Sequence, residues 1–218
     1  MLAKRKRVAA LICGLLGCLC FGSGDWLMLC GDPAYTGKVY WLTEGVRHIP
    51  QWRFDLSMAL ALPGIVLYGI ALFAVQGYIR EKREQTIYHY LNAFGLTPWL
   101  ALHLFVVMVL CLWSFGGDLA LATELRDRLN WFVFASEAMM LPVFLYWFYL
   151  QISGRTVFPK WFAWTSVLVF YALLSVVKAL LPISAFRLGF TNGLMSESMV
   201  LWFGAMLLWE RKMLREEK

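Results

Sequence analysis

The chain reads as a series of long apolar runs separated by short charged stretches. A helix needs about 20 mostly apolar residues to cross a hydrocarbon core about 30 Å thick. Six stretches fit that description: 8–30, 56–79, 98–115, 131–151, 161–183 and 190–209. Barrel strands would alternate apolar and polar residues over about ten positions, whereas these runs are apolar at consecutive positions. Backbone groups in lipid must be satisfied internally, so the pattern predicts an all-α transmembrane bundle of six helices. The whole of 1–218 then forms one transmembrane domain.

Between the second and third runs, Ile87, Tyr90, Leu91 and Phe94 recur at helical spacing after a charged start. This predicts a short interfacial helix over 80–95, with Thr97 and Pro98 as N-cap and first position of the third span. The longest connection, 31–55, is rich in aromatic residues, among them Tyr35, Tyr40, Trp41, Trp52 and Phe54. It reads as an interfacial aromatic belt or as a lid over an outward-facing pocket.

Charge sets the orientation. Lys4–Arg7, Arg80, Lys82, Arg83, Arg155, Lys160, Arg211, Lys212, Arg215 and Lys218 fall on one side, and these are most of the 20 basic residues. The other side holds Lys38, Arg47, Arg53, Arg126, Arg128 and Arg187. The positive-inside rule therefore puts both termini in the cytoplasm. It also accounts for most of the net charge of +6, which attracts the anionic leaflet. With 61% hydrophobic and 16% charged residues, the chain is unlike a soluble domain or a disordered one. No basic stripe interleaved with aromatics points to nucleic acid.

Lys4–Arg7 resembles a signal n-region and Leu15, Leu16, Gly17 and Cys18 loosely fit a lipoprotein box, yet the apolar run continues to Cys30. The segment therefore reads as an uncleaved helix. Cys13, Cys18, Cys20, Cys30 and Cys111 read as small packing residues, a Cys30–Cys111 bond being the alternative.

Ala10, Gly14, Cys18 and Gly22 repeat every four residues, a ridge that lets a neighbouring helix approach closely. Asp25 continues that face and is aimed at the bundle interior. Ionisable groups within spans are costly and mark function. Asp25, Glu137, Lys178 and Glu197 come from four helices, each about 8–10 Å below the outer end by helical rise. They are expected to converge, with Lys178 paired to Glu137, Glu197 or Asp25, and with Asn192 beside them. Pro142, five residues after Glu137, frees a backbone carbonyl near it. Three acids against one ammonium leave room for a cation or an exchanging proton. A static ion-pair network is the plainer reading. His103 is the one histidine within a span, and no zinc, Walker, dinucleotide or nucleophile-elbow pattern occurs, so neither metal nor cofactor is expected.

Gly24 with Asp25, then Ile49, Pro50, Trp52 and Arg53, then Pro63, Gly64 and Tyr68 resemble a family of uncharacterised bacterial multi-pass membrane proteins of about this length. The resemblance is specific over the first third of the chain. It implies a bacterial inner-membrane location and groups Asp25, Trp52 and Arg53 in one arrangement. Trp52 and Arg53 would cap the pocket, with Arg53 available to Asp25 or Asp55.

Three functions are compatible with this reading. The first is an outward-opening acidic pocket (Asp25, Glu137, Lys178, Glu197, Asn192, Trp52, Arg53) binding a small molecule, cationic or amphiphilic, for transport or sensing. The second is an intramembrane enzyme using Glu137 or Glu197 as acid–base, with Lys178 or His103 assisting, on a lipid-like substrate. The third is a partner subunit of a membrane complex, or a homo-oligomer, docking through the small-residue ridge.

Overall fold

A computed structural model describes residues 2–30, 49–114 and 119–216. Among these residues the fold is all-helical: α1 (Leu2–Leu29), α2 (Gln51–Val75), α3 (Lys82–Ser114), α4 (Leu119–Ile152), α5 (Val167–Leu180) and α6 (Ala185–Glu216). Two 3₁₀ turns, Gln76–Tyr78 and Lys160–Thr165, extend α2 and precede α5. Among the described residues two stretches, Arg5–Met28 and Gln51–Tyr78, are long and apolar enough to cross a membrane, and α5 is a shorter apolar helix.

α1 is the central element, packed along α2 and α6; α3 pairs with α4, α5 lies on α6, and α2 joins the two halves through α3. Small residues set the α1 contacts. A Cβ on Gly17 would sit 2.7 Å from the Tyr68 backbone nitrogen, so α1 and α2 cross there backbone to backbone. A Cβ on Gly14 would meet Ala71 and Phe203, and one on Gly22 would meet Ser196. The ridge of Ala10, Gly14, Cys18 and Gly22 is thus covered by α2 and α6 of the same chain, and is not an open docking face.

Three sequence expectations are corrected. The interfacial helix 80–95 and the third span are one continuous helix, α3, with Pro98 inside it. Thr97 does not cap a new helix; its hydroxyl donates to the Ala93 carbonyl at 3.1 Å. Tertiary packing carries the helix across, because Gly95 lies where a Cβ would be 2.6 Å from the Met139 carbonyl oxygen of α4. The fifth span, 161–183, is not one helix. Ser166 is extended (φ −75°, ψ 160°), so the segment is a 3₁₀ turn followed by the 14 residues of α5. The connection expected over 31–55 ends at Pro50, and Gln51–Asp55 already belong to α2.

At one end the basic segments meet. Arg7 bonds Glu210 at 2.9 Å and lies over the Tyr78 ring. Arg80 donates from its backbone to Arg155 and from its side chain to Thr156. Glu84, 5% exposed, accepts from Tyr146 and pairs with Arg155. Those two bonds hold the Glu84 carboxyl below the ordinary carboxylate range, the Tyr146 hydroxyl contributing most.

Candidate functional site

Near the opposite end α1 separates two spaces. The first, about 450 Å³, lies among α1, α3, α4, α5 and α6. Its walls are mostly apolar (Phe21, Met28, Trp99, Leu102, Phe144), with Asp25, Tyr171, Thr191 and Asn192 as polar points. No lysine or arginine is among its described lining residues. The second, about 740 Å³, is a groove between α1, α2 and α6, lined by Leu19, Leu56 and Leu60 and by Trp26, Trp52, Arg53 and Glu197.

Trp26 is the hinge of the arrangement. Gly189 and Gly193 of α6 carry no side chain where the indole lies; a Cβ on Gly189 would be 2.4 Å from its ring. One turn further along, Glu197 Oε1 accepts from the Trp26 indole N–H at 3.0 Å. Phe186 closes the ring edge-on at 5.1 Å. The second oxygen, Glu197 Oε2, is buried and has no hydrogen-bond partner among the described residues. Asp25, on the other side of α1, is within electrostatic reach of Glu197. Two acids from α1 and α6 therefore flank one wall between the two spaces.

Arg53 caps α1. Its Nη2 donates to the carbonyls of Trp26 and Cys30 at 3.0 and 3.2 Å, complementing the negative end of the helix dipole. It does this instead of pairing with Asp25 or Asp55; Asp55 accepts from Gln51. Cys30 is a free thiol donating to the Ala185 carbonyl at 3.2 Å, which fixes the α1 end against the start of α6. Ser57 ties α2 to the Gly24 carbonyl at 3.1 Å.

The structure thus brings together Asp25, Glu197, Asn192, Trp52 and Arg53 around the C-terminal part of α1. Lys178 is not with them: it lines neither space and makes no ion pair among the described residues. The side chains of Glu137, His103 and Cys111, and residues 31–48 with their aromatics, lie outside the described residues. Trp26, which organises the site, was not among the sequence candidates. Its signal is the Gly189, Gly193, Glu197 register at i, i+4, i+8, a slot of two glycines ending in an acceptor.

This site sits on a chain whose residues 1–212 match DUF6796, a family of unknown function. The chain belongs to that family. No curated protein and no solved structure matches it. DUF6796 membership agrees with the resemblance to an uncharacterised family and adds no reaction, ligand or partner.

Proposed function

We propose that the protein is a six-crossing bacterial inner-membrane protein, both termini cytoplasmic, that binds a small cationic amphiphile beside α1 for transport or sensing. Several features support the membrane reading. Leu180 and Leu208 are 81% and 70% exposed, as lipid-facing side chains would be. The basic segments around Arg7, Arg80 and Arg155 gather at one end, as the positive-inside rule asks. The fifth crossing is composite: at about 2.0 Å per residue in the 3₁₀ turn and 1.5 Å in α5, the two together extend about 33 Å. Buried Phe162, Ala163 and Ser166 keep the break inside protein, where irregular backbone at membrane depth is tolerated.

The observation that carries the ligand reading is Glu197 Oε2, buried without a partner among the described residues on the wall of a leucine-lined groove. A carboxylate with one oxygen held by Trp26 and the other open to a donor is built to receive a cation or an N–H group, and the leucines receive an apolar body. The acid–base enzyme reading built on Glu197 asks for Lys178 beside it, and Lys178 does not line the Glu197 groove.

The test is binding of tetraphenylphosphonium, a lipophilic cation, to the purified full chain in nanodiscs, followed by quenching of tryptophan fluorescence and by equilibrium dialysis. Glu197→Gln should weaken binding at least about tenfold, which is about 1.4 kcal/mol, and Asp25→Asn should weaken it less. Unchanged affinity in a monodisperse Glu197→Gln protein overturns the reading.

A further inference from the structure

A second group of buried polar side chains lies away from the acids, toward the basic end. Tyr88 and Asn92 follow one another by one turn on α3, and Trp147 and Gln151 do so on α4. The Tyr88 and Trp147 rings lie 5.8 Å apart, and Trp202 of α6 meets Trp147 at 5.8 Å. All five residues are 0–1% exposed. Yet the Tyr88 hydroxyl, both atoms of the Asn92 and Gln151 amides, and the indole N–H groups of Trp147 and Trp202 have no hydrogen-bond partner among the described residues. Other buried polar groups do find partners, as Ser57 with Gly24, Ser198 with Leu194 and the Tyr68 hydroxyl with the Met199 sulfur; the further orphans among the described residues are single oxygens, on Tyr78, Thr156, Ser166 and Glu197.

A folded chain does not tolerate two whole amides, two indoles and a phenol left dry in one place, because each loses its water without a replacement. No charged side chain is part of the group; Glu84 is engaged by Arg155 and Tyr146, and Glu210 by Arg7. The chemistry is therefore that of a neutral donor-and-acceptor lining, which suits water, a molecule that both gives and accepts.

The order along the bundle adds direction. α3 and α4 run antiparallel, Glu84 meeting Tyr146 and Gly95 meeting Met139. Gln151 thus lies on the basic side of the Tyr88–Trp147 pair and Asn92 on the other, about 12 Å apart by helical rise. The same faces continue into the 450 Å³ space: Trp99 follows Asn92 by seven residues on α3, and Phe144 precedes Trp147 by three on α4.

We propose that Gln151, Tyr88, Trp147, Trp202 and Asn92 line an internal file of exchangeable water, running from the basic end of the bundle to the space that holds Asp25. Such a file is a route by which protons and water reach the buried acid from that end. It stands independently of any ligand in the groove.

Radiolytic hydroxyl labelling of the full chain in nanodiscs, read by mass spectrometry, tests it, since bound water marks adjacent side chains even in an interior. Tyr88 and Tyr68 are a matched pair, 0% and 1% exposed, one with an orphan hydroxyl and one with a partner. Tyr88 should be labelled at least about fivefold more than Tyr68, with Trp147 and Trp202 also labelled. After rapid mixing into ¹⁸O water, the added oxygen should be ¹⁸O within about a second. Equal labelling of the two tyrosines overturns the hydrated site, and retention of ¹⁶O overturns the route. The comparison is internal to the unaltered protein, so no variant needs to fold.

Discussion

Gly95 shows how much one missing side chain can decide. It faces the α4 backbone so closely that a Cβ would meet the Met139 carbonyl oxygen at 2.6 Å and Met140 Cα at 3.0 Å. Backbone cannot swing aside as a side-chain tip can. Gly95→Ala should therefore destabilise the folded protein by about 1–3 kcal/mol, the usual cost of overpacking. Gly204, whose added Cβ would meet nothing within 4 Å, is the control, and Gly204→Ala should be neutral or slightly stabilising. Thermal unfolding of both variants in one detergent checks the contrast; equal melting temperatures would contradict it. At this scale the sequence was partly readable. The four-residue spacing marked Ala10, Gly14, Cys18 and Gly22, which the structure buries. It did not mark the Gly17–Gly64 crossing or the seat of Trp26, because a glycine's partner depends on which helix arrives opposite it. Lys178 lines neither the space of Asp25 nor the groove of Glu197 for a related reason: shared depth says nothing about azimuth around the bundle.

Elements were legible where hydrophobic length alone decides and less so where local signals compete with packing. Thr97 and Pro98 carry a strong start signal, yet α3 runs through them because α4 meets it before the proline at Gly95 and after it at Phe105. Conversely, the apolar run over 161–183 looks uninterrupted, but Ser166 breaks it close to where Phe158 and Phe162 stack at 4.5 Å and Trp209 meets both edge-on. Aromatic packing won over continuity. The start of α3 is in turn fastened by Glu84, held by the Tyr146 hydroxyl and by Arg155 across to the segment after α4. Its carboxyl is held below the ordinary range in the fold, so the ionised form stabilises the native state. That contribution is fully present above the unfolded carboxylate value, near about 4.3, and is lost as pH falls through the lower folded value. Glu84→Gln should melt below the parent at neutral pH, and the gap should close as pH drops under about 4. A gap that stays constant down to pH 3 would mean that Glu84 acts by shape and not by charge.

For the whole molecule, the basic contacts at one end and the acids near the other give the bundle a polarity that topology mapping can read. Arg7–Glu210, Arg80–Thr156 and Arg155–Glu84, with Arg7 over the Tyr78 ring linking the first pair to the others, tie the start of α1, the α2–α3 junction, the segment after α4 and the end of α6 into one plate. If that plate is cytoplasmic, α1 through α6 must alternate in direction and the fifth crossing must be the composite one. Two exposed sites separate the alternatives. Lys160 begins the 3₁₀ turn at the basic end, and Glu124, in the early part of α4, forms an exposed i,i+4 pair with Arg128 toward the far end. A membrane-impermeant maleimide applied to intact cells should label Glu124→Cys above the background of the native thiols. It should label Lys160→Cys only after permeabilisation. The reverse pattern would invert the molecule, setting the Glu197 groove toward the cytoplasm and the water file toward the outside. Labelling of both from one side would mean that α4 does not cross, and the two long hydrophobic stretches, Arg5–Met28 and Gln51–Tyr78, would then be the anchor on which the remaining helices pack.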